Sequence, residues 1–158
     1  MPLLSFDDFS YYPFEKEGRL LGCDVGEKTI GLAISDRYRT IASPLTVIRR
    51  TKWKTDSTVL FKEIDTHHIC GVIVGFPLNM NGSEGPRCQS TRQFVSNVLQ
   101  VKDLPVCLWD ERLSTIAVTR TLLEADLSRA KRAQVVDKMA ACYILQGFLD
   151  ALGIKNAK

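Results

Sequence analysis

Short apolar runs in the first half of the chain predict β-strands. RLLGCDV (19–25) is almost continuously apolar, as in a buried strand, and TIGLAIS (29–35) alternates large apolar residues with small ones, as in its hairpin partner. TIASPLTVI (40–48) predicts a third strand. Pro44 confines that strand to a sheet edge, because proline cannot donate a hydrogen bond to a neighbouring strand.

Helical and strand patterns alternate in the rest of the chain. Two more strands are predicted, GVIVG (71–75) and VCLWD (106–110). Helices are predicted over 55–66, from Pro86 to about 101, over about 115–124 and over about 133–152. This order predicts an α/β fold with a five-stranded mixed sheet, in which three antiparallel strands precede two parallel ones and helices cover both faces.

Composition separates an acidic, aromatic leader from an ordinary globular body. Residues 1–18 hold four acidic residues, one lysine and five aromatic residues, whereas the whole chain of 158 residues carries a net charge of +3. We expect residues 1–18 to be an N-terminal extension that packs on the body or on a second subunit. Residues 19–152 then form the single folded domain, and residues 153–158 form a C-terminal tail.

Nothing in the sequence indicates export or membrane insertion. The apolar runs fall short of the roughly 18 residues of a membrane helix, and an acidic leader is unlike a targeting segment. The five cysteines are scattered, with no CxxC pair, which is typical of reduced, buried thiols and argues against a cysteine metal site. We therefore expect a cytoplasmic protein with no membrane partner, either a monomer or a homodimer.

Asp24 is the first candidate for chemistry, because it ends a strand that should be buried. In an extended strand it shares a face with Leu20 and Gly22, both of which suit burial. It could cap the hairpin turn, since turns favour aspartate. It could also belong to a site, because sites in such sheets collect at the carboxyl ends of strands. The spacing leaves both interpretations open.

A second acidic position follows the strand that ends in VCLW. Asp110 and Glu111 are consecutive, and adjacent side chains of a strand face opposite ways, so only one of them can join Asp24. The spacing does not decide which one.

Asp137 is a third acidic candidate, on the last predicted helix. At 100° per residue its face also carries small and apolar residues, namely Ala140, Ala141, Ile144 and Phe148. A lone buried carboxylate costs several kcal/mol unless something compensates it. Asp137 is therefore either a site residue whose charge is compensated, or an ordinary acid that is solvated or paired with Lys138 or Arg132.

Three converging carboxylates would repel one another unless a cation lay between them. A hard divalent ion such as Mg²⁺ binds carboxylate oxygens, and such ions cleave phosphodiesters in nucleases. Two basic clusters fit a nucleic-acid substrate, although either could be an ordinary solvated face. The first includes Arg49, Arg50 and Lys52 beside Trp53, which could offer a stacking surface, and the second includes Lys131 and Arg132.

Four stretches together resemble the YqgF proteins, also called RuvX, a family of Holliday junction resolvase relatives similar to RuvC. They are LGCDVGEKTIGLAISD, GFPLNMNGSEGP, DERLST and VDKMAACYILQGFLD, in the family's order over about 19–150. The resemblance implies an RNase H-like fold with Asp24, Glu111 and Asp137 at the three acidic positions, and so favours Glu111 over Asp110. It also makes Lys28 and Arg112 candidates for phosphate contact.

By the same resemblance, the expected activity is that of a nuclease dependent on Mg²⁺ or Mn²⁺, which processes the 5′ end of the 16S rRNA precursor, in a pre-ribosomal particle. One alternative is resolution of branched DNA junctions. Another is a non-catalytic module that binds rRNA or the ribosome. A third is a fragment of the actin and sugar-kinase type, whose phosphate loop resembles DVGEKTIGLAISD, but the chain is too short for the two lobes of those ATPases.

Overall fold

A six-stranded mixed sheet forms the centre of the structure, a computed structural model that describes residues 3–14, 17–113 and 129–156. Residues 129–138 and 156 are described by their backbone alone. The strands are β1 (Leu3–Leu4), β2 (Arg19–Val25), β3 (Thr29–Ser35), β4 (Ala42–Arg49), β5 (Ile69–Phe76) and β6 (Val106–Asp110). The helices are α1 (Phe6–Ser10), α2 (Trp53–Thr66), α3 (Pro86–Val101) and α4 (Arg129–Asn156), with a 3₁₀ helix over Glu111–Leu113.

The strand order across the sheet is β1-β6-β5-β2-β3-β4. Strands β2, β3 and β4 pair antiparallel, while β5 is parallel to β2 and β6 is parallel to β5. The mixed α/β sheet predicted from sequence is thereby confirmed. So is the edge position of β4, whose register against β3 shifts near Pro44.

The prediction of five strands was wrong by one, because the N-terminal extension supplies a sixth. Strand β1 pairs parallel with β6, with Leu3 opposite Val106 and Leu4 opposite Cys107. Two residues are too short to leave an alternating pattern in the sequence. Their pairing covers part of the β6 edge, which would otherwise expose unpaired backbone groups.

Helices cover both faces of the sheet, as predicted. Helix α4 packs on one face and α2 and α3 on the other, and each face has its own apolar core. Gly22 lets α4 approach closely, because a Cβ there would meet Leu145 Cβ at 2.7 Å. Helix α2 begins two residues earlier than predicted, and α4 runs into the predicted tail. The helix predicted over 115–124 lies outside the described residues.

The N-terminal extension packs on the body of the same chain. Phe9 is 1% exposed, and its ring centroid lies 5.3 Å from that of Phe148 on α4. The Phe6 ring lies 5.8 Å from that of Trp109 on β6. The extension therefore belongs to the core between α4 and the sheet.

All five cysteines are free thiols, and four of them are buried. Burial raises the pKa of the Cys107 thiol to about 12, and burial followed by the nearby Asp24 carboxylate raises that of Cys23. These thiols stay protonated at neutral pH and serve as small core residues, as their spacing indicated. None of the described helices has the length and apolar composition needed to span a membrane.

Candidate active site

Asp24 lies at the carboxyl end of β2, on the face that α4 covers. It is two residues beyond Gly22, which contacts α4, so the alternation of the strand turns both toward that helix. Only 8% of Asp24 is exposed. A carboxylate in such a place is a buried charge on the core side of the sheet.

Glu111 approaches the same end of the sheet from β6. It comes two residues after Trp109, which packs in the core beneath α4, and it is 7% exposed. Its Cγ lies 3.2 Å from the point where a Cβ on Gly75 would stand, so Glu111 leans over β5. Val74 on β5 pairs with Cys23 on the parallel strand β2. The next residues of the two strands, Gly75 and Asp24, are therefore neighbours across the sheet. Both carboxylates thus lie at the carboxyl ends of adjoining strands and on one face.

Asp110 points away from this pair and is held by Arg112. Nη2 of Arg112 donates to Oδ2 of Asp110 at 2.7 Å, and the backbone N–H of Arg112 donates to Oδ1 of Asp110 at 2.9 Å. The hydrogen bond from the Arg112 side chain lowers the pKa of Asp110. Of the two consecutive acids, Glu111 is thus on the side of Asp24, and Asp110 is an internal partner of Arg112.

Arg112 also holds the loop between β5 and α3. Its Nη1 donates to the backbone oxygen of Met80 at 3.2 Å. The loop is braced from within by a hydrogen bond from the backbone N–H of Asn79 to the oxygen of Ser83 at 2.9 Å. Gly82 has a φ of +86°, a conformation that glycine adopts most readily. Arg112 therefore has a structural task, and its predicted contact with phosphate remains a prediction.

A cleft of about 400 Å³ opens beside Asp24. Two of the predicted phosphate contacts, Lys28 in the β2–β3 turn and Arg49 at the end of β4, line it. Arg87, in the first turn of α3, is a third basic residue of the cleft that the sequence reasoning missed. Its Nη2 lies 3.5 Å from Oδ1 of Asp24 and donates to the backbone oxygen of Val25 at 3.2 Å.

The other basic residues of the first cluster have different surroundings. Arg50 braces the hairpin, since its Nη1 donates to the backbone oxygen of Gly26 at 2.7 Å. Lys52 is exposed just before α2. The partly buried ring of Trp53 packs against the core, 5.8 Å from that of Phe94, and its predicted role as a stacking surface stays a prediction.

The remaining predicted site residues lie on the first part of α4. The backbone there places Asp137 one helical turn before Ala141, whose oxygen lies close to Gly22. The side chains of Lys131, Arg132 and Asp137 lie outside the described residues.

Among the side chains that the structure describes, no three of His, Cys, Asp or Glu gather as a metal site. Asp24 and Glu111, with their buried oxygen ligands, nevertheless suit a hard divalent cation.

Comparison with known proteins adds evidence of relationship. The family model described as "RuvX: Holliday junction resolvase" matches residues 18–151. A protein of Paramagnetospirillum magneticum named "Putative pre-16S rRNA nuclease" is 58% identical over 135 residues, which cover 85% of this chain and 87% of that one. A protein of the same name from a Ruegeria species is 53% identical over 148 residues, 94% of each chain.

A solved structure shares the fold at low sequence identity. RuvC of T. thermophilus in complex with a Holliday junction substrate aligns with a TM-score of 0.52 and 14% identity, over 86% of this chain and 96% of that one. This likeness supports the RNase H-like fold predicted from the motifs. Since a family model matches most of the sequence and relatives exceed half identity along nearly the same length, the chain belongs to the RuvX family.

Proposed function

We propose that this chain hydrolyses phosphodiester bonds of the 16S rRNA precursor and matures its 5′ end, using Mg²⁺ or Mn²⁺. Nuclease activity itself follows from membership of the family, and the substrate and the metal are the proposed part. The observation that carries the proposal is the pair of buried carboxylates, Asp24 and Glu111, beside a cleft whose lining includes three basic side chains and one further acid, Glu27. Its partner would be nucleic acid, in a pre-ribosomal particle in the cytoplasm, with the enzyme as a monomer or homodimer.

The buried carboxylates are suited to holding a cation. Two acids on one face at adjoining strand ends raise each other's energy when ionised, and burial adds a desolvation cost. A divalent ion held by Asp24 and Glu111, with Asp137 as the predicted third ligand, would remove this cost. When bound, such ions can activate water and stabilise the leaving oxygen of a phosphodiester.

The basic side chains are suited to holding the substrate backbone. Lys28 and Arg49 are both exposed to solvent, so a phosphate that enters the cleft can reach them directly. Lys52, Arg50, Lys131 and Arg132 would extend this positive surface beyond the cleft. Such contacts fix the position of the strand rather than its sequence.

Cleavage of an RNA that spans the precursor's 5′ junction tests the proposal. We expect Asp24→Asn and Glu111→Gln each to lower the rate at least about 100-fold in Mg²⁺ or Mn²⁺, as loss of electrostatic stabilisation in a buried site does. The matched control is Asp65→Asn, since this exposed carboxylate pairs with Lys102 at 2.9 Å, outside the cleft. Unchanged rates in both site variants, or full activity in chelator, would contradict the proposal.

A second candidate is the resolution of branched DNA, which the family description names. Related folds host both activities, so the fold does not choose between them. A four-way DNA junction assayed beside the RNA distinguishes the two by relative rate. Tight RNA binding with no metal-dependent turnover on either substrate would instead favour a non-catalytic rRNA-binding module.

A further inference from the structure

Arg87 is a basic side chain of the cleft that lies against a candidate metal ligand, Asp24. It rises from the first turn of α3, on the opposite face of the sheet from Asp24, and reaches round the end of β2. The side chain of Arg87 is 45% exposed, whereas that of Asp24 is 11% exposed. A long, partly solvated cation is therefore placed against a largely buried carboxylate.

The contact between them is a loose one. Charge-assisted N–H···O hydrogen bonds are usually about 2.7–2.9 Å long, and Nη2 of Arg87 stands 3.5 Å from Oδ1 of Asp24. The same nitrogen also donates to the backbone oxygen of Val25 at 3.2 Å. A guanidinium carries five N–H donors in a planar fork. Both of these contacts use one nitrogen of Arg87, which lines the cleft together with Lys28 and Arg49.

We propose that Arg87 is an exchangeable counter-ion: it rests on Asp24 before metal binds, and it binds a substrate phosphate once a divalent cation occupies that carboxylate. The proposal rests on the proposed function, because it takes Asp24 as a metal ligand. The physical reason is electrostatic. A divalent cation on Asp24 repels the guanidinium a few ångströms away, and a phosphate in the same cleft offers it a bidentate anionic partner.

Binding of a fluorescent RNA oligonucleotide, measured by anisotropy over a series of salt concentrations, tests this exchange. Wild type and Arg87→Gln are compared in EDTA and in Ca²⁺, a carboxylate-binding cation, with the RNA checked for integrity after each titration. Arg37→Gln is the matched control. It removes the same charge from another exposed arginine near one carboxylate, Glu17 at 4.0 Å, outside the cleft.

The expected signature is an effect of Arg87 that depends on the metal. In Ca²⁺, Arg87→Gln should weaken binding about tenfold, since one charge-assisted hydrogen bond is lost. It should also lower the slope of log affinity against log salt by about one. In EDTA the same substitution should change affinity less than about twofold, because Asp24 already holds the arginine. Arg37→Gln should show no difference between the two conditions.

Asp24→Asn supplies a second, independent check. Its neutral amide no longer holds the guanidinium, so in this background Arg87→Gln should weaken binding in EDTA as well. An effect of Arg87→Gln that is equal in EDTA and Ca²⁺ in the wild-type background, or absent from both, overturns the proposal. Because these readouts require binding and no turnover, they can succeed or fail independently of the cleavage assay.

Discussion

Gly75→Ala should damage the active site more than it damages the fold. A Cβ at this position would clash with Cδ1 of Ile144 and would meet Cγ of Glu111 at 3.2 Å. The first contact would lie far inside van der Waals distance, so Ile144 or the backbone of β5 must shift. The second obliges Glu111 to move by a few tenths of an ångström.

The two consequences differ in size. An extra methyl in a packed core costs about 1–3 kcal/mol, and each kcal/mol lowers the melting temperature of a domain this size by about 2–4 °C. We therefore expect a loss of roughly 4–8 °C, near the middle of that range. A misplacement of about 1 Å in a catalytic group can cost about 100-fold in rate, so we expect a shift of a few tenths of an ångström in Glu111 to lower kcat by about 4-fold to 10-fold.

Gly71→Ala is the matched control, because it lies on the same strand at the end away from the site. A Cβ there would meet Cζ of Phe9 at 2.8 Å and Cδ2 of Leu20 at 3.0 Å, and it would not contact Glu111. Both variants should melt at lower temperature, but only Gly75→Ala should lose activity beyond what unfolding explains. The assay is the cleavage rate measured well below both melting temperatures. If Gly75→Ala retained the kcat of Gly71→Ala, the assignment of Glu111 to the reacting centre would be refuted.

Two further predictions concern the extension and the β3–β4 turn. Phe9→Ala should destabilise the protein by roughly 3–5 kcal/mol, as truncations of buried Phe do. Tyr11→Ala, at a site 78% exposed, should cost under about 1 kcal/mol. Urea denaturation measures both losses, and equal losses would contradict packing of the extension in the core. Burial opposes ionisation of Asp36, but hydrogen bonds from the backbone of Ile41 and Thr40 outweigh it and lower its pKa to about 2. The carboxylate therefore stabilises the fold above about pH 4 and loses that effect as the pH falls toward 2. Wild type should accordingly exceed Asp36→Asn by about 1 kcal/mol at neutral pH after discounting for solvent exposure, and a gap unchanged at low pH would refute this reading.

The main sheet was predictable from sequence because each of its strands leaves a local signature. The continuous apolar run of β2, the alternation in β3 and the edge proline in β4 report burial directly, and the structure confirms all three. Strand β1 leaves no such trace. Its two residues, Leu3 and Leu4, become a strand only because the edge of β6 lies beside them, which is a tertiary fact.

The candidate site divides in the same way. Asp24 could be singled out because alternation along its own strand turns it toward the core. Arg87 could not be found so, because its contact with Asp24 joins a helix on one face of the sheet to a side chain on the other. Sequence periodicity describes one element at a time, and this contact exists only where two elements end at the same edge.

The order of the strands arranges the charges of the site in series along that edge. Glu111 follows β6, Asp24 ends β2, Lys28 lies in the β2–β3 turn and Arg49 ends β4. Strands lie about 4.8 Å apart, so the backbone of Arg49 is roughly 10 Å from the strand of Asp24, and its side chain reaches the cleft beside Asp24. There it could hold a phosphate of the proposed substrate. Arg87 comes closer, with its Nη2 at 3.5 Å from Oδ1 of Asp24, so in the proposed exchange its release would couple cation binding to substrate binding.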